Sequence, residues 1–502
     1  MINTYWKEIT ENHEVRQNLS KLRQEIKKEG TPAPLLYAIA GNEDKLIALL
    51  QSDDAKTRKN AALLMGELKK MEFLQPLYEA YEKEQQRFVR NSYLVAMKNF
   101  NYRSYMGALK QHLEEMSGVQ VTPENEKHHM EELRELTALI VAMEGVSTHT
   151  FHGWDETYDI ILLTNRNFAE VTRKELLELE PEAQSKIFGA GVMAQVPNLR
   201  WLQDIRSYQE ILFQIEGMHT CTMNPVQAAE TLMASELMEF LHKSHKGKTP
   251  FYFRIEFKSK RPLDERSTFV KKLSGQIEKK SDRMLINTTS NYEVELRFIE
   301  NKEGNCNFLV KLYTLIDNRF AYRREVMPTS IKPVNAALTM ALAKDYMKEE
   351  AQVLDPFCGV GTMLIERHKV VPANTTYGID IQEEAIEKAR TNTEAAHQII
   401  HYINRDFFRF SHEYLFDEVI TNMPFAMGRT TEDEVYYLYR RFFQSVSKYL
   451  KQDATMILYT HDYDYVRDMA PDNGFEIVKE YELSKKEGTY VLILGGVGFY
   501  AI

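Results

Sequence analysis

The spacing of apolar residues changes twice along the 502-residue chain. In the first third, apolar residues recur every three or four positions, which predicts amphipathic helices. Beyond about residue 156, the runs YDIILLT, IFGAGVMAQV and FYFRIEFKS each predict one strand. FAEVTRKELLELE predicts a helix, and a long helical stretch is expected before FYFRIEFKS, so this part is predicted to be an α+β module. From Pro333, short apolar runs alternate with helical patterns, which predicts a doubly wound, mostly parallel sheet.

The helical first third repeats itself. RKNAALLM from Arg58 aligns with RNSYLVAM from Arg90 at an offset of 32 residues, and LIALL aligns with YEAYE in the preceding helices. Helix pairs of this kind stack into solenoids, and these resemble HEAT-type repeats, although their period is shorter than the usual span of about 40 residues. A simple helical bundle is the alternative. Arg58 and Arg90 are expected to bridge repeats rather than bind a ligand.

Polar side chains end four successive strands of the predicted parallel sheet. VLD ends at Asp355, TTYGID at Asp380, HYINRD at Asp406 and FDEVITN at Asn422. Ligands of open α/β sheets bind at the carboxyl ends of the strands, so these four side chains are expected to share one site. A loop-capping role is the competing interpretation for each acid taken singly.

The first strand leads into the turn DPFCGVGT, in which Gly359 and Gly361 precede a helix that begins near Thr362. Glycines let the backbone approach a ligand closely, and the helix start offers unpaired N–H groups. The GxGxxG fingerprint of dinucleotide sites is absent, because Leu364 occupies the third glycine position. Asp355 places a carboxylate where a pyrophosphate would lie, so a ligand with a cationic amine fits better. Asp380 can accept both hydroxyls of a ribose.

The fourth strand ends in TNMPF, where Asn422 is followed by an apolar residue, Pro424 and Phe425. Asn and Pro both occur in ordinary turns. The order also gives a hydrogen-bond acceptor, a spacer, a rigid backbone carbonyl and an aromatic face. Two acceptors can hold the hydrogens of an exocyclic amine and turn its lone pair towards an electrophile.

These segments resemble a known family. DPFCGVGT, GID, NRD and TNMPF are similar to the motifs of class I S-adenosylmethionine-dependent methyltransferases that act on exocyclic amines of nucleobases. RFAYRREVMPTSIKPVNAALTMALA resembles the end of a THUMP RNA-binding domain, and YDIILLTNRNFAEVTRKEL resembles the ferredoxin-like domain that precedes it. Together they resemble the THUMP-containing RNA guanine-N2 methyltransferases that modify tRNA. The resemblance spans about residues 158–502 and leaves out the N-terminal repeats.

The resemblance implies a role for each matching residue. The S-adenosylmethionine site would comprise Asp355, Phe357, Gly359, Gly361, Thr362, Asp380, Ile381, Asp406 and Phe407. Asp355 would hold the methionine part, Asp380 the ribose and Asp406 the adenine amino group. Asn422 and the carbonyl of Pro424 would accept hydrogen bonds from the target amine, and Phe425 would stack on a flipped base.

The expected architecture is therefore multidomain. An all-α, HEAT-like helical-repeat domain is predicted over residues 1–146. An α+β region that is ferredoxin-like and THUMP-like is predicted over residues 156–330, and an α/β Rossmann-like methyltransferase domain over residues 331–502.

Charge gives a local rather than a global signal for nucleic acid. The net charge is −10, from 63 Lys and Arg against 73 Asp and Glu. Residues 258–283 nevertheless hold nine basic and four acidic residues. Such a patch suits a phosphate backbone, although a solvated helix face is the commoner outcome. The predicted RNA-binding residues are Lys258, Lys260, Arg261, Lys271, Lys272, Arg323 and Arg324.

Other classes of protein are disfavoured. No apolar run is long enough to span a bilayer, and the polar N-terminus does not resemble a secretory signal. Three cysteines far apart in sequence indicate neither a disulfide framework nor a metal site, so a cytoplasmic location without a metal is expected.

The predicted function is methyl transfer from S-adenosylmethionine to the exocyclic N2 of a guanine in tRNA or rRNA. Met423 before Pro424 resembles the guanine-N2 branch of this family, which favours that chemistry over adenine-N6 methylation of RNA or DNA, the first alternative. The second is a repeat scaffold whose cofactor-binding domain has little activity. RNA is the expected partner, and the repeats could take a protein or ribosomal partner. The sequence leaves the RNA, its nucleotide and the oligomeric state open.

Overall fold

A computed structural model describes residues 2–117, 123–144, 149–247 and 250–496. The chain divides into two compact units, Met1–Ser147 and Thr148–Ile502. The described part of the first unit is helical. Its helices are α1 (Ile2–Thr10), α2 (Val15–Glu29), α3 (Ala33–Ile39), α4 (Glu43–Ala48), α5 (Ala55–Leu68), α6 (Leu74–Lys83), α7 (Arg87–Met97), α8 (Met106–Ser117) and α9 (Pro123–Glu144).

Helices α2, α5, α7 and α9 pack side by side in that order. Their buried faces form one apolar core, which contains Leu19, Leu64 and Leu94. Arg58 of α5 forms an ion pair with Glu84, which precedes α7, at 2.8 Å, and Arg90 of α7 pairs with Glu132 of α9 at 2.6 Å. The two arginines, 32 residues apart, thus link successive helices of the stack rather than facing solvent.

The second unit begins with a nine-stranded sheet, in which eight strands follow the order β3-β4-β2-β5-β11-β10-β8-β9 and β6 pairs with β11. Helices α10–α13 belong to this part. The elements are β1 (Thr150–Phe151), β2 (Tyr158–Leu163), α10 (Ala169–Leu179), β3 (Gln184–Phe188), β4 (Gly191–Val196), β5 (Glu210–Phe213), β6 (Thr220–Cys221), α11 (Pro225–Ala234), α12 (Leu237–Ser244), β7 (His245–Lys246), β8 (Phe251–Lys258), α13 (Leu263–Lys280), β9 (Leu285–Asn287), β10 (Val294–Glu300) and β11 (Cys306–Leu312).

Two predictions for this region were wrong. The run IFGAGVMAQV is not one strand but the end of β3 and the whole of β4, which pair as an antiparallel hairpin. Gly191 opens β4 at a φ of 155°, and a Cβ there would lie 2.0 Å from the carbonyl oxygen of Leu162. The stretch before β8 is only partly helical, because Glu210–Phe213 pairs with β2 as β5. A four-residue strand gives too short a pattern to distinguish it from a helix segment.

The rest of the second unit is a seven-stranded sheet of order β14-β13-β12-β15-β16-β18-β17. Its elements are α14 (Pro333–Ala343), β12 (Ala351–Asp355), α15 (Thr362–Val370), β13 (Ala373–Asp380), α16 (Glu383–Ala395), β14 (His401–Asn404), β15 (Phe416–Asn422), α17 (Glu432–Val446), β16 (Leu450–Thr460), α18 (Tyr463–Met469), β17 (Phe475–Ser484) and β18 (Thr489–Gly496).

The first five strands along this sheet pair in parallel, whereas β18 is antiparallel to both β16 and β17. Both faces of the sheet are covered. Successive residues of β12, Val353 and Leu354, belong to the two different cores on either side, and Ile420 and Val419 of β15 do the same. The predicted Rossmann-like domain with a mostly parallel sheet is confirmed.

Candidate active site

A cavity of about 460 Å³ lies at the carboxyl ends of β12, β13, β14 and β15. Its volume is in the range of small-molecule sites, about 300–1,000 Å³. Eleven of the twelve residues predicted for the catalytic and cofactor sites line it: Asp355, Phe357, Gly359, Thr362, Asp380, Ile381, Asp406, Phe407, Asn422, Pro424 and Phe425. The parallel strand order therefore brings the four polar strand ends together.

Asp355 ends β12 and is almost completely buried. Its Oδ1 accepts a hydrogen bond of 3.0 Å from the backbone N–H of Phe357. Its Oδ2 is buried and has no hydrogen-bond partner among the residues that the structure describes. Burial, together with the nearby charge of Asp380, raises the pKa of Asp355 to about 7, although the hydroxyl of Thr421 and the N–H of Phe357 oppose the rise. This oxygen is a buried acceptor that a cationic or N–H donor could satisfy.

The turn between β12 and α15 brings backbone close to the next strand end. The N–H of Gly359 donates to Oδ2 of Asp380 at 3.0 Å, and Gly359 has a φ of 51° with no atom within 4 Å of a Cβ built there. Gly361, the twelfth predicted residue, does not line the cavity. It precedes α15 at a φ of 82°, and a Cβ there would lie 2.2 Å from Oη of Tyr402. Gly361 thus allows the turn to pack, and its contact is structural.

Asp380 ends β13, and both of its carboxylate oxygens accept hydrogen bonds from the backbone. Oδ2 accepts from the N–H of Gly359, and Oδ1 accepts from the N–H of Gln382 at 2.8 Å. Burial raises the pKa of Asp380. A carboxylate oxygen has two lone pairs, so each can still accept a second hydrogen bond. The next residue, Ile381, is 69% exposed although it lines the cavity. It offers an apolar surface to whatever enters.

Asp406 caps the short helix Phe407–Arg409 by accepting the N–H of Phe408 at 3.0 Å through Oδ1. Phe407 is buried, with its ring centroid 5.9 Å from that of Phe357. The guanidinium of Arg441 lies over the ring of Phe408 at 3.8 Å. One oxygen of Asp406 thus acts as a helix cap, and the residue also lines the cavity.

The TNMPF segment combines an anchored backbone with a free acceptor. Met423 is fully buried, and its N–H donates to the carbonyl of Tyr459 in the neighbouring strand at 2.9 Å. Oδ1 of Asn422 is buried without a hydrogen-bond partner among the described residues. The ring of Phe425 is half-buried and lies 4.4 Å from that of His461, centroid to centroid. The spacer thus fixes the strand end while Asn422 and Phe425 border the cavity.

Sequence reasoning missed several lining residues. Arg405 and Arg441 bring two cations to the cavity, and Thr430 and Leu438 line it from the α17 side. The segment 327–331 contributes four more lining residues, Met327, Thr329, Ser330 and Ile331. Arg405 directly precedes the predicted Asp406, so its position in the NRD run was a usable signal. Arg441 and the 327–331 segment carried no such signal, because they are distant in sequence from every strand end.

The predicted RNA-binding residues lie elsewhere, and none of the seven lines this cavity. Lys258, Lys260, Lys271, Lys272 and Arg324 are exposed. Arg261 is also exposed, but it pairs with Glu300 at 2.8 Å and with Glu265 at 3.7 Å. Arg323 is half-buried and donates to the carbonyl of Ile331 at 3.0 Å, and burial lowers its pKa. Arg323 is thus tied to the segment that borders the cavity.

Within the described ranges, no group of three or more His, Cys, Asp or Glu side chains is placed to hold a metal ion. No helix in the same ranges has both the length and the apolar character to cross a bilayer.

Comparison with known proteins agrees with this geometry. Residues 321–488 match the family model UPF0020, described as an RMKL-like methyltransferase domain. A tRNA (guanine(10)-N2)-dimethyltransferase of Pyrococcus abyssi is 27% identical over 170 residues, which are 33% of this chain and 49% of that protein. The chain thus spans about half the length of this curated relative.

Two solved structures share the fold at lower identity. TrmN from Thermus thermophilus matches with a TM-score of 0.53 and 17% identity, over 68% of this chain and all of its own. SMU.472, solved in complex with SAH, matches with a TM-score of 0.54 and 15% identity, over 69% of this chain and 99% of its own. Residues 321–488 therefore match a methyltransferase-domain family, and every residue that lines the cavity at the strand ends falls within this segment.

Proposed function

We propose that the protein transfers a methyl group from S-adenosylmethionine to the exocyclic N2 of a guanine in tRNA or rRNA. The observation that carries this proposal is Oδ1 of Asn422, a buried acceptor without a partner among the described residues, on the wall of the cavity. Pro424 and Phe425 line the same cavity. This is the set of groups that an exocyclic amine on a flat, flipped base requires.

The residues around the cavity suit S-adenosylmethionine. The unpartnered oxygen of Asp355 would accept the cationic amine, and Asp380 would accept the ribose hydroxyls. The adenine would lie against the exposed side chain of Ile381, with Asp406 accepting its amino group and Phe407 below. At Gly359, the absence of a side chain leaves open space beside the backbone, which a bound cofactor could occupy. When bound, this cofactor supplies an electrophilic methyl group on a sulfonium.

The contribution of the chain itself is orientation. An exocyclic amine is a weak nucleophile because its lone pair is delocalised into the ring. Oδ1 of Asn422 and the carbonyl of Pro424 would accept its two hydrogens and turn the lone pair out of the ring plane. The buried Met423 anchors both acceptors to β16, and Phe425 would stack on the base. Acceptors that are already in place need no reorganisation when the reaction occurs.

The choice of RNA and of guanine rests on three supports. The matched relative from Pyrococcus abyssi is named for tRNA guanine-N2 chemistry. The apolar Met423 between Asn422 and Pro424 resembles the guanine-N2 branch. Exposed Lys258, Lys260, Lys271 and Lys272 would contact RNA phosphates from a THUMP-like region. The proposal includes a HEAT-like N-terminal domain and a cytoplasmic location.

The test uses purified protein, labelled S-adenosylmethionine, and total tRNA and rRNA from a strain that lacks the protein. Digestion and mass spectrometry identify the product. We expect N2-methylguanosine in one RNA class. N6-methyladenosine would replace the proposal by its first alternative, and cofactor binding without any product would replace it by the scaffold alternative.

A variant connects the product to the site. We expect Asn422→Ala to lower kcat by about 10²–10³-fold, the range seen when one preorganised hydrogen-bonding group is lost, with little change in cofactor affinity. The matched control is Asn374→Ala, an exposed asparagine near the amino end of β13, which should retain full activity.

A further inference from the structure

The first unit contains an open groove of about 830 Å³ that the methyltransferase chemistry does not use. It is bordered by the start of α2, the start of α5 and one residue of α7. The lining residues are Glu14, Val15, Arg16, Gln17, Ser20, Lys21, Lys56, Lys59, Asn60 and Phe88. Because Arg16, Lys21, Lys56 and Lys59 set its charge, we call it the basic groove.

The cations of the basic groove form no ion pair within the described part of the chain, although Arg16 is close enough to the carboxylate of Asp54 to interact with it electrostatically. Among the residues that the structure describes, no carboxylate lies within 4 Å of the charged nitrogens of Arg16, Lys21, Lys56 or Lys59. Glu14 is the one acidic residue in the lining. Four unpaired cations around one cavity repel each other, and this repulsion would be relieved by a bound polyanion.

Three arginines of the same unit behave differently. Arg23 pairs with Glu67 at 2.9 Å, and Arg58 and Arg90 pair across helices with Glu84 and Glu132. These pairs tie the helix stack together. The contrast separates structural cations, which have acidic partners, from those of the basic groove, which face solvent.

The uncharged part of the lining suits nucleic acid better than an acidic peptide. Phe88 contributes a half-buried aromatic ring, and Gln17, Ser20 and Asn60 contribute neutral donors and acceptors. Aromatic rings stack on bases, and amides and hydroxyls bond sugar and phosphate oxygens. The start of α2, which has no side-chain cap, adds the positive end of a helix dipole of 15 residues, whereas the start of α5 is capped by the carboxylate of Asp54. A chain of net charge −10 can bind RNA only through such local positive surfaces.

We infer that the basic groove binds the phosphate backbone of RNA and gives the N-terminal helices a substrate-binding role. The inference rests on the proposed function, because it makes the RNA substrate the ligand of this groove. Lys56, Lys59, Arg16 and Lys21 would each neutralise phosphate charge and release counterions. Binding through them therefore depends steeply on salt, with a slope of about 0.9 per phosphate on logarithmic axes for a duplex.

The experiment compares two double charge reversals in the full chain. Lys56→Glu with Lys59→Glu alters the basic groove. Lys45→Glu with Lys83→Glu alters two exposed lysines of α4 and α6 outside it, with the same change in net charge. The probe is a fluorescein-labelled, unmodified tRNA transcript, and anisotropy is measured over a salt series. The unfolding transition that does not respond to S-adenosylmethionine, which should be unchanged, verifies that the first unit of both variants is folded.

We expect the groove variant to bind the transcript at least tenfold more weakly and to reduce the salt slope by about 2, while the control variant stays near wild type. Equal losses in both variants, or no loss in the groove variant, would overturn the inference. A competition experiment gives a further outcome that would overturn it. If polyglutamate displaces the transcript from the wild-type protein as effectively as unlabelled tRNA does, the ligand of the groove is an acidic protein.

The same variants separate this inference from the proposed function. If the chain methylates no RNA but the groove variant still loses tRNA binding, the proposed function fails and the groove assignment stands. If methylation occurs and the groove variant has wild-type binding and KM, the groove assignment fails alone. With both correct, the variant should raise KM for RNA and leave kcat unchanged, as expected for binding that is equal in ground and transition state.

Discussion

Three aspartates that look equivalent in sequence have different surroundings in the candidate active site. Asp406 uses one oxygen as a helix cap, and Asp380 accepts two backbone N–H groups. Asp355 has one backbone donor and one unpartnered oxygen, and it is the most deeply buried of the three. Because an unpartnered charge is costly to bury, Asp355 is the residue whose ionisation depends most on a ligand.

This difference predicts how cofactor binding varies with pH. Below about pH 7, Asp355 of the free protein is mainly protonated, because burial raises its pKa to about 7. A cationic amine binds the carboxylate form, so binding releases a proton. We expect the affinity for S-adenosylmethionine to rise roughly tenfold per pH unit well below pH 7 and to level off above it. Calorimetry at several pH values measures this.

The control for the pH prediction is Asp355→Asn, which cannot ionise. We expect it to bind the cofactor weakly and with little dependence on pH between 5.5 and about 7. An unchanged pH profile in this variant would assign the proton to another group, of which Asp380 is the nearest candidate, since burial also raises its pKa.

At the scale of elements, two helices of the first unit approach each other closely at Gly66 of α5. A Cβ at Gly66 would lie 2.7 Å from Cα of Ala96 on α7 and 3.0 Å from its Cβ. A backbone atom cannot move aside as a flexible side chain can. The absence of a side chain at Gly66 is therefore what lets the C-terminal ends of α5 and α7 pack this closely.

Gly66→Ala tests this packing because two effects have opposite signs. Alanine in place of glycine within a helix normally stabilises by roughly 0.5–1 kcal/mol. Here we expect a loss of about 1–3 kcal/mol in the free energy of unfolding, because α7 must be displaced. The measurement is the unfolding transition of the first unit in the full chain. It is recognised because it does not shift when cofactor is added, since the cofactor site lies in the second unit.

The matched control is Gly107→Ala in α8, where no atom lies within 4 Å of the added Cβ. We expect it to be neutral or to stabilise by about 0.5 kcal/mol. A stabilised Gly66→Ala variant would show that α5 and α7 are not held at this separation.

At the scale of the whole molecule, a buried polar cluster joins the two sheets of the second unit. Arg206, which precedes β5, forms an ion pair of 2.6 Å with Glu366 of α15. Glu366 is completely buried and also accepts the hydroxyl of Tyr322 at 2.6 Å. Because α15 begins at the turn that borders the cavity, this cluster fixes the first sheet against the helix that supports the candidate active site.

Arg206→Met should therefore be strongly destabilising. It leaves the carboxylate of Glu366 buried with one fewer partner, at an expected cost of about 3–5 kcal/mol. The measurement is the thermal transition that shifts when S-adenosylmethionine is added. The control is Arg200→Met, whose ion pair with Asp155 is exposed, and we expect it to leave the transition midpoint unchanged. Equal midpoints for the two variants would contradict the joining role of the cluster.

Much of the fold and of the candidate site could be predicted from local sequence. The alternation of short apolar runs with helices predicted the mostly parallel sheet, and strands of that sheet end at one edge, so Asp355, Asp380, Asp406 and Asn422 could be assigned to one site. The errors also have local causes. The Gly-Ala-Gly run inside IFGAGVMAQV forms a hairpin, and the four residues of β5 carry too little pattern to identify a strand.

The sequence by itself determined which residues end the strands and which turn follows the first of them, because both depend on neighbours within a few positions. Only the tertiary structure decided what depends on distant residues: the unpartnered acceptors of Asp355 and Asn422, the placement of Arg441 beside Phe408, and the commitment of Arg323 to Ile331. The basic groove is of the same kind, since Arg16 and Lys56 lie 40 positions apart in the chain. Whether a charge is neutralised depends on which partner the packing of helices brings within about 4 Å, and no local pattern encodes that distance.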